Sequence, residues 1–111
     1  MSKQNELSFI VESPQGLHVR PADRIVKYTT DLSKKYPELT LFIDQPQDEI
    51  PDITLKAVCG PGPYPTNSIL SLLSLASIDS KRFRFILRGP EEHIHSLQEE
   101  IERQIRAILQ R

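Results

Sequence analysis

The alternation of apolar and polar residues predicts three β-strands, in residues 6–12, 38–44 and 81–88, where every second side chain is apolar. A further apolar-rich stretch, residues 52–58, is predicted to be another strand, the third in chain order. Residues 59–66, CGPGPYPT, contain three prolines and two glycines, so we expect a stiff surface loop without regular structure.

Apolar residues that recur at steps of three and four predict three helices, in residues 19–36, 67–77 and 90–111. The second helix is short and strongly apolar, and Asn67 or Ser68 can cap its start. One face of this helix is expected to consist of Ile69, Leu72, Leu73 and Ala76, with Leu70 pointing elsewhere.

The predicted order of elements is β-α-β-β-α-β-α. Each strand has one apolar face, so four strands need one covering layer, which the helices can supply. We therefore expect an α+β fold, an open-faced β-sandwich in which a four-stranded, mainly antiparallel sheet is covered on one face by three helices. The length of 111 residues predicts a single domain, residues 1–111.

The composition of the chain argues against several classes of protein. The formal net charge of −1 argues against a broad nucleic-acid surface, and no apolar run approaches the length of a membrane span. The chain has a single cysteine, Cys59, and its start lacks the apolar core of a signal peptide. We expect a cytoplasmic protein, monomeric, without membrane insertion.

Residues 13–23, SPQGLHVRPAD, place a histidine where a turn meets the first predicted helix. The first N–H groups of a helix have no internal partners and attract anions. Their partial positive charge disfavours imidazolium, which leaves His18 with a neutral ring nitrogen as a nucleophile. A phosphoryl group on His18 would meet these N–H groups and the guanidinium of Arg20. The alternative for an isolated His-x-Arg is a histidine that merely caps the helix.

The longer string GLHVRPAD, residues 16–23, resembles the active-site motif of HPr, the family of histidine-containing phosphocarriers of the bacterial phosphotransferase system. That family typically reads Gly-Leu-His-Ala-Arg-Pro-Ala, and this chain departs from it at Val19. A second stretch, residues 68–77, resembles the segment Ser-Ile-Met-Gly-Val-Met-Ser-Leu-Gly of the same family. The resemblance covers nearly the whole chain and agrees with the predicted order of elements.

The resemblance implies a phosphoryl carrier rather than an independent enzyme, and it implies no cofactor. His18 would accept a phosphoryl group, on Nδ1, from enzyme I that phosphoenolpyruvate has charged. It would then pass the group to the A component of an enzyme II. Arg20 would orient and neutralise the phosphate.

The resemblance also implies a regulatory site and a docking surface. Ser68 matches the serine that an HPr kinase/phosphorylase modifies in many relatives, although Asn67 stands where many of them have lysine. The apolar docking surface around His18 would consist of Leu17, Ile69, Leu70 and Leu73.

The sequence also allows other functions. The chain could be a regulatory binding protein whose docking face controls enzymes or transcription factors through phosphorylation of Ser68. It could feed sugar uptake or a purely regulatory cascade, and the sequence does not separate the two. Val19 beside the reactive ring, and connections at 45–51 and 59–66 that look longer than tight turns, bear on the choice of partners.

Overall fold

The computed structural model describes residues 4–14, 16–17, 19–46, 53, 57, 60, 62–76 and 81–110. Its strands are β1 (Gln4–Glu12), β2 (Thr40–Asp44), β3 (Tyr64–Pro65) and β4 (Arg82–Pro90). The helices whose bounds it gives are α1 (Val19–Lys35), α2 (Ile69–Ala76) and α3 (Glu91–Leu109).

The four strands form one antiparallel sheet in the order β1-β4-β2-β3. One row of paired residues crosses all four strands: Phe9, Phe85, Ile43 and Tyr64. All four side chains are buried, and the rings of Phe9 and Phe85 stack with centroids 5.7 Å apart. This row shows that the alternation in the sequence sets the register, since each strand contributes its apolar face at the same level.

The opposite face of the sheet carries the polar residues of the alternation together with Ile10, Phe42 and Ile86, and Ile86 is only 2% exposed. Arg88 of β4 lies between two partners there. Its Nε is 2.7 Å from Oε1 of Glu6, and its guanidinium lies 4.8 Å from the ring centre of Phe42. The helices whose bounds are given pack on the other face, the one that carries Phe85, in agreement with the α+β prediction.

Helices cover the buried face. Helix α3 packs on β1 and β4, and α1 packs against α2 and α3. Ile94, Ile101 and Ile105 of α3 are fully buried or nearly so, and Ala22 and Ile25 of α1 are fully buried. The predicted cover of three helices differs in detail from the structure, because two long helices form most of the layer and α2 has only eight residues.

The third strand of the sequence prediction is wrong. Most of the predicted strand, residues 52–58, lies outside the described part of the chain. The two residues of this range that are described, Ile53 and Ala57, have helical backbone. The strand that pairs with β2 is instead Tyr64–Pro65, inside the stretch expected to be an irregular loop. Proline is tolerated there because β3 is an edge strand, where a missing N–H breaks no ladder bond on the outer side.

The remaining predicted elements are confirmed within a few residues of their bounds. In the part of the chain that the structure describes, no helix combines the length and the apolar character needed to cross a membrane.

Candidate functional site

The turn that leads into α1 is fixed to the rest of the protein by Ser13, which is 1% exposed. Its N–H donates to the carbonyl oxygen of Lys81 at 2.7 Å. Its hydroxyl donates to the carbonyl oxygen of Gly16 at 2.7 Å and lies 3.3 Å from that of Leu109, at the end of α3. Ser13 therefore ties the start of α1 to β4 and α3.

The same turn depends on Gly16. Its N–H donates to the carbonyl oxygen of Ser13 at 2.8 Å, which closes a β-turn. The φ angle of Gly16 is +73°, in the left-handed region that favours glycine. Serine, proline and glycine at the first, second and fourth positions are a signature of such turns, so residues 13–16 carried this signal in the sequence.

Leu17 does not belong to the docking surface that the resemblance implied. The side chain is only 4% exposed and packs in the hydrophobic core. An exposed leucine would lose the free energy of burial, and the tight turn at Gly16 directs this residue inward. Leu17 is therefore an anchor of the motif.

His18 lies outside the described residues, so its ring position is not part of the site geometry. The residues after it are described. Val19 is the first helical residue of α1, Arg20 is exposed, and Pro21 is buried. Since Pro21 has no N–H, Val19 and Arg20 carry the unpaired backbone donors that precede it in the helix.

The charge at the start of α1 is unopposed among the described residues. The first turn of the helix contains no acidic residue. Within the described ranges, the carboxylates that form ion pairs do so with Lys27, Arg88, Arg106, His93 and His95, and none with Arg20. An exposed guanidinium beside a helix N-terminus is an arrangement that can bind an anion.

The start of α2 is fixed by a second buried hydroxyl, that of Thr66, which is 0% exposed. Its Oγ1 donates to the carbonyl oxygen of Leu41 at 2.8 Å, and its N–H donates to the same oxygen at 3.1 Å. Ser68 follows directly. Its N–H bonds to the carbonyl oxygen of Pro65 at 3.4 Å, and its carbonyl accepts the N–H of Leu72 at 3.2 Å.

Ser68 thus immediately precedes α2 and accepts its first intrahelical bond, which is the position of an N-cap residue. This position is one of the two that the sequence allowed. Ser68 is half-buried, so its side chain reaches the surface at the end of the helix.

The structure describes two of the three docking residues proposed on α2. Ile69 is 37% exposed, and Leu73 is partly buried against the core. The side chain of Leu70 lies outside the described part. Of the predicted face, Leu72 is fully buried, and the side chain of Ala76 lies outside the described part. Leu75, which was not in the predicted set, is also fully buried. Ile69 and Leu73, four residues apart, lie on an adjacent side.

Sequence reasoning missed Ser13 and Thr66, the two buried hydroxyls that position the helix starts. Both precede or follow a proline in turns, where a hydroxyl commonly bonds to nearby backbone. Their long-range partners, Leu109 and Leu41, have no local signature in the sequence. Among the described residues, no group of three or more His, Cys, Asp or Glu side chains could hold a metal ion.

Comparisons with known proteins identify no relative of this chain. No family model matches the chain, and no curated protein or solved structure is significantly similar to it.

Proposed function

We propose that this protein is a phosphocarrier of the phosphotransferase type, which accepts a phosphoryl group on His18 and passes it on. The observation that carries the proposal is the exposed guanidinium of Arg20 in the first turn of α1, two residues after His18; this guanidinium forms no ion pair with any of the described residues. The match of Gly16–Ala22 to the HPr motif supports the same function.

In the proposed reaction, a neutral ring nitrogen of His18 attacks the phosphorus of the phosphohistidine on enzyme I. The phosphorus–nitrogen bond of the donor breaks as the new one forms, and the donor imidazole leaves with the bonding electrons. Arg20 and the free N–H groups of α1 bind the phosphate oxygens. Such charge-assisted contacts contribute about 1.5–3 kcal/mol each, which holds the group without trapping it. Transfer to the A component of an enzyme II reverses these steps.

The protein is then a transiently phosphorylated reactant in the cytoplasm, without a cofactor and without a catalytic activity of its own. Ile69, Leu70 and Leu73 of α2 form its docking surface, and Leu17 supports it from within. Ser68 is the proposed regulatory site for an HPr kinase/phosphorylase. A phosphate on Ser68 would carry up to two negative charges at the start of α2 and weaken the docking of acidic partners.

The decisive experiment is incubation with enzyme I and phosphoenolpyruvate, followed by intact-mass analysis. We expect one added phosphate that acid removes and base does not, because a phosphorus–nitrogen bond is acid-labile. His18→Ala should take up none. A base-labile label, or none on the wild-type chain, would exclude the carrier function.

The role of Arg20 is tested with Arg24 as its matched control. Both arginines are exposed on α1, one turn apart. Arg20→Glu should slow phosphoryl transfer at least about tenfold, the loss expected for one charge-assisted contact, with an unchanged far-UV circular dichroism spectrum. Arg24→Glu should leave the rate within about twofold, as expected of an exposed charge outside the site. Equal effects of both substitutions would show that Arg20 acts only through its general charge and not through a specific contact with the phosphate.

A second candidate function is a regulatory binding protein that uses the surface of α2. The exposure of Ile69 beside the half-buried Ser68 favours it. The variant His18→Ala separates the two functions. It should abolish phosphoryl transfer by a carrier, but it should leave intact the binding activity of a regulator that is controlled at Ser68.

A further inference from the structure

The strongest feature outside the proposed phosphoryl site is a groove of about 240 Å³ between the C-terminal half of α1 and the middle of α3. Leu97 and buried Ile101 are part of its lining, and so are the partly buried rings of Tyr28 and Tyr36. Small-molecule pockets measure roughly 300–1,000 Å³, so this groove suits a single extended side chain better than a whole metabolite.

The charged residues of the groove leave it with an excess of negative charge. Asp31 and Glu100 are acidic and Lys35 is the basic residue of the lining, and all three are exposed. No ion pair within the described residues neutralises either carboxylate. Other carboxylates of the same two helices are paired, for example Asp23 with Lys27 and Glu102 with Arg106.

The aromatic residues are held in defined positions. The ring of Tyr36 meets that of His93 edge-on, with centroids 5.6 Å apart. Burial and the negative charge of Glu100 raise the pKa of Tyr28 to about 12, further above physiological pH than the ordinary tyrosine value at which the phenol is already neutral. Neutral aromatic faces beside carboxylates bind a cation with an apolar stem, because the stem packs on the rings and the charge meets the acids.

We propose that this groove is a second docking site, which binds one arginine or lysine side chain from the surface of a partner protein. The argument is one of charge complementarity between the unpaired Asp31 and Glu100 and a basic side chain. Along the helix axis, Arg20 and Asp31 are about 16 Å apart, at 1.5 Å per residue. The groove therefore lies apart from the start of α1, and the inference does not depend on the phosphocarrier function.

The probe is acetyl-arginine methylamide, with acetyl-norleucine methylamide as a neutral control, titrated against the full ¹⁵N-labelled chain. We expect shifts of the amide signals of residues 28–36 and 97–101 with the arginine probe only. Added salt should weaken the binding, because exposed charges are screened. Equal binding of the norleucine probe, or shifts confined to other residues, would overturn the proposal.

Substitutions sharpen the test, since Glu99 and Glu100 are exposed neighbours of which Glu100 lines the groove. Glu100→Gln should weaken binding of the arginine probe about two- to fivefold, the effect of one exposed ion pair. Glu99→Gln should not, and Lys35→Gln should strengthen it. An equal effect of both glutamate substitutions would contradict the site.

A last binding experiment distinguishes a protein partner from a free polyamine. Spermidine should bind no more tightly than the arginine probe once salt is raised, because the groove has room for one side chain. Binding of spermidine that is tenfold tighter under these conditions would overturn the assignment of a protein partner. None of these substitutions should change phosphorylation by enzyme I, so a failed carrier function and a failed groove give different results.

Discussion

The starts of α1 and α2 are built alike but held differently. Each follows a buried hydroxyl, Ser13 for α1 and Thr66 for α2, that donates to a backbone carbonyl. Thr66 makes both of its bonds to one atom, the carbonyl oxygen of Leu41. Ser13 contacts three separate segments of the chain, and one of its partners, Leu109, is 96 residues away.

This difference teaches that the motif around His18 depends on the closure of the whole domain, whereas the start of α2 depends on one neighbouring strand. One hydroxyl serves two carbonyl oxygens at the start of α1, whereas two donors meet one oxygen at the start of α2. Substitutions at the start of α1 should therefore destabilise the protein more than those at the start of α2. The predictions below test this order.

The largest effect is expected for Leu17→Ala. Leu17 is 4% exposed, so truncation removes buried apolar surface and leaves a cavity beside the turn at Gly16. We expect the free energy of unfolding to fall by about 2–5 kcal/mol, measured by urea denaturation followed by circular dichroism.

Ile69→Ala is the matched control on α2, because Ile69 is an apolar residue at the start of that helix but is 37% exposed. It should cost only about 0.5 kcal/mol, as expected of a surface substitution. If the two substitutions cost the same, Leu17 is not an anchor and the docking role first expected of it regains support.

The case of Leu17 also shows how far the sequence alone reaches. Periodicity predicted the long elements correctly, since α1, α3 and β4 carry many apolar residues at regular steps. Periodicity missed β3, because a strand of two residues, one of them proline, is too short to show an alternation of apolar and polar positions. The pairing of Tyr64 and Pro65 with β2 is set by the neighbouring strand.

The candidate site was predictable to the same extent. Ser68 lies at the helix start that its residue type favours, and Arg20 is exposed as its charge requires. Leu17 was assigned to the docking surface by analogy with the HPr motif. This assignment is wrong, because the side chain of Leu17 is buried in the core. Ser13 could be placed in a turn from local signals, but its contact with Leu109 arises only when the termini of the domain meet.

The second prediction is Ser13→Ala, which removes the hydroxyl and keeps the N–H bond to Lys81. The carbonyl oxygen of Gly16 then loses this donor in a part-buried place, and that of Leu109 loses it in a buried one. We expect a loss of about 1–3 kcal/mol in the free energy of unfolding, the cost of leaving a buried polar group unsatisfied. Phosphoryl transfer to His18, measured at a temperature where the variant stays folded, should also slow, because the turn that leads to the histidine loses a constraint.

The smaller effect of the two hydroxyl substitutions is expected for Thr66→Val, which replaces the hydroxyl by a methyl group of similar size. The carbonyl oxygen of Leu41 keeps the N–H of residue 66 as a donor at 3.1 Å, so no buried acceptor is orphaned. We expect a loss of about 0.5–1.5 kcal/mol, the net value of one ordinary hydrogen bond, measured by the same urea denaturation. The comparison fails if Thr66→Val costs more than Ser13→Ala, since the start of α2 would then be the less tolerant of the two. The physical reason for the predicted order is redundancy: two donors meet one oxygen at Leu41, whereas one donor serves two oxygens at Ser13.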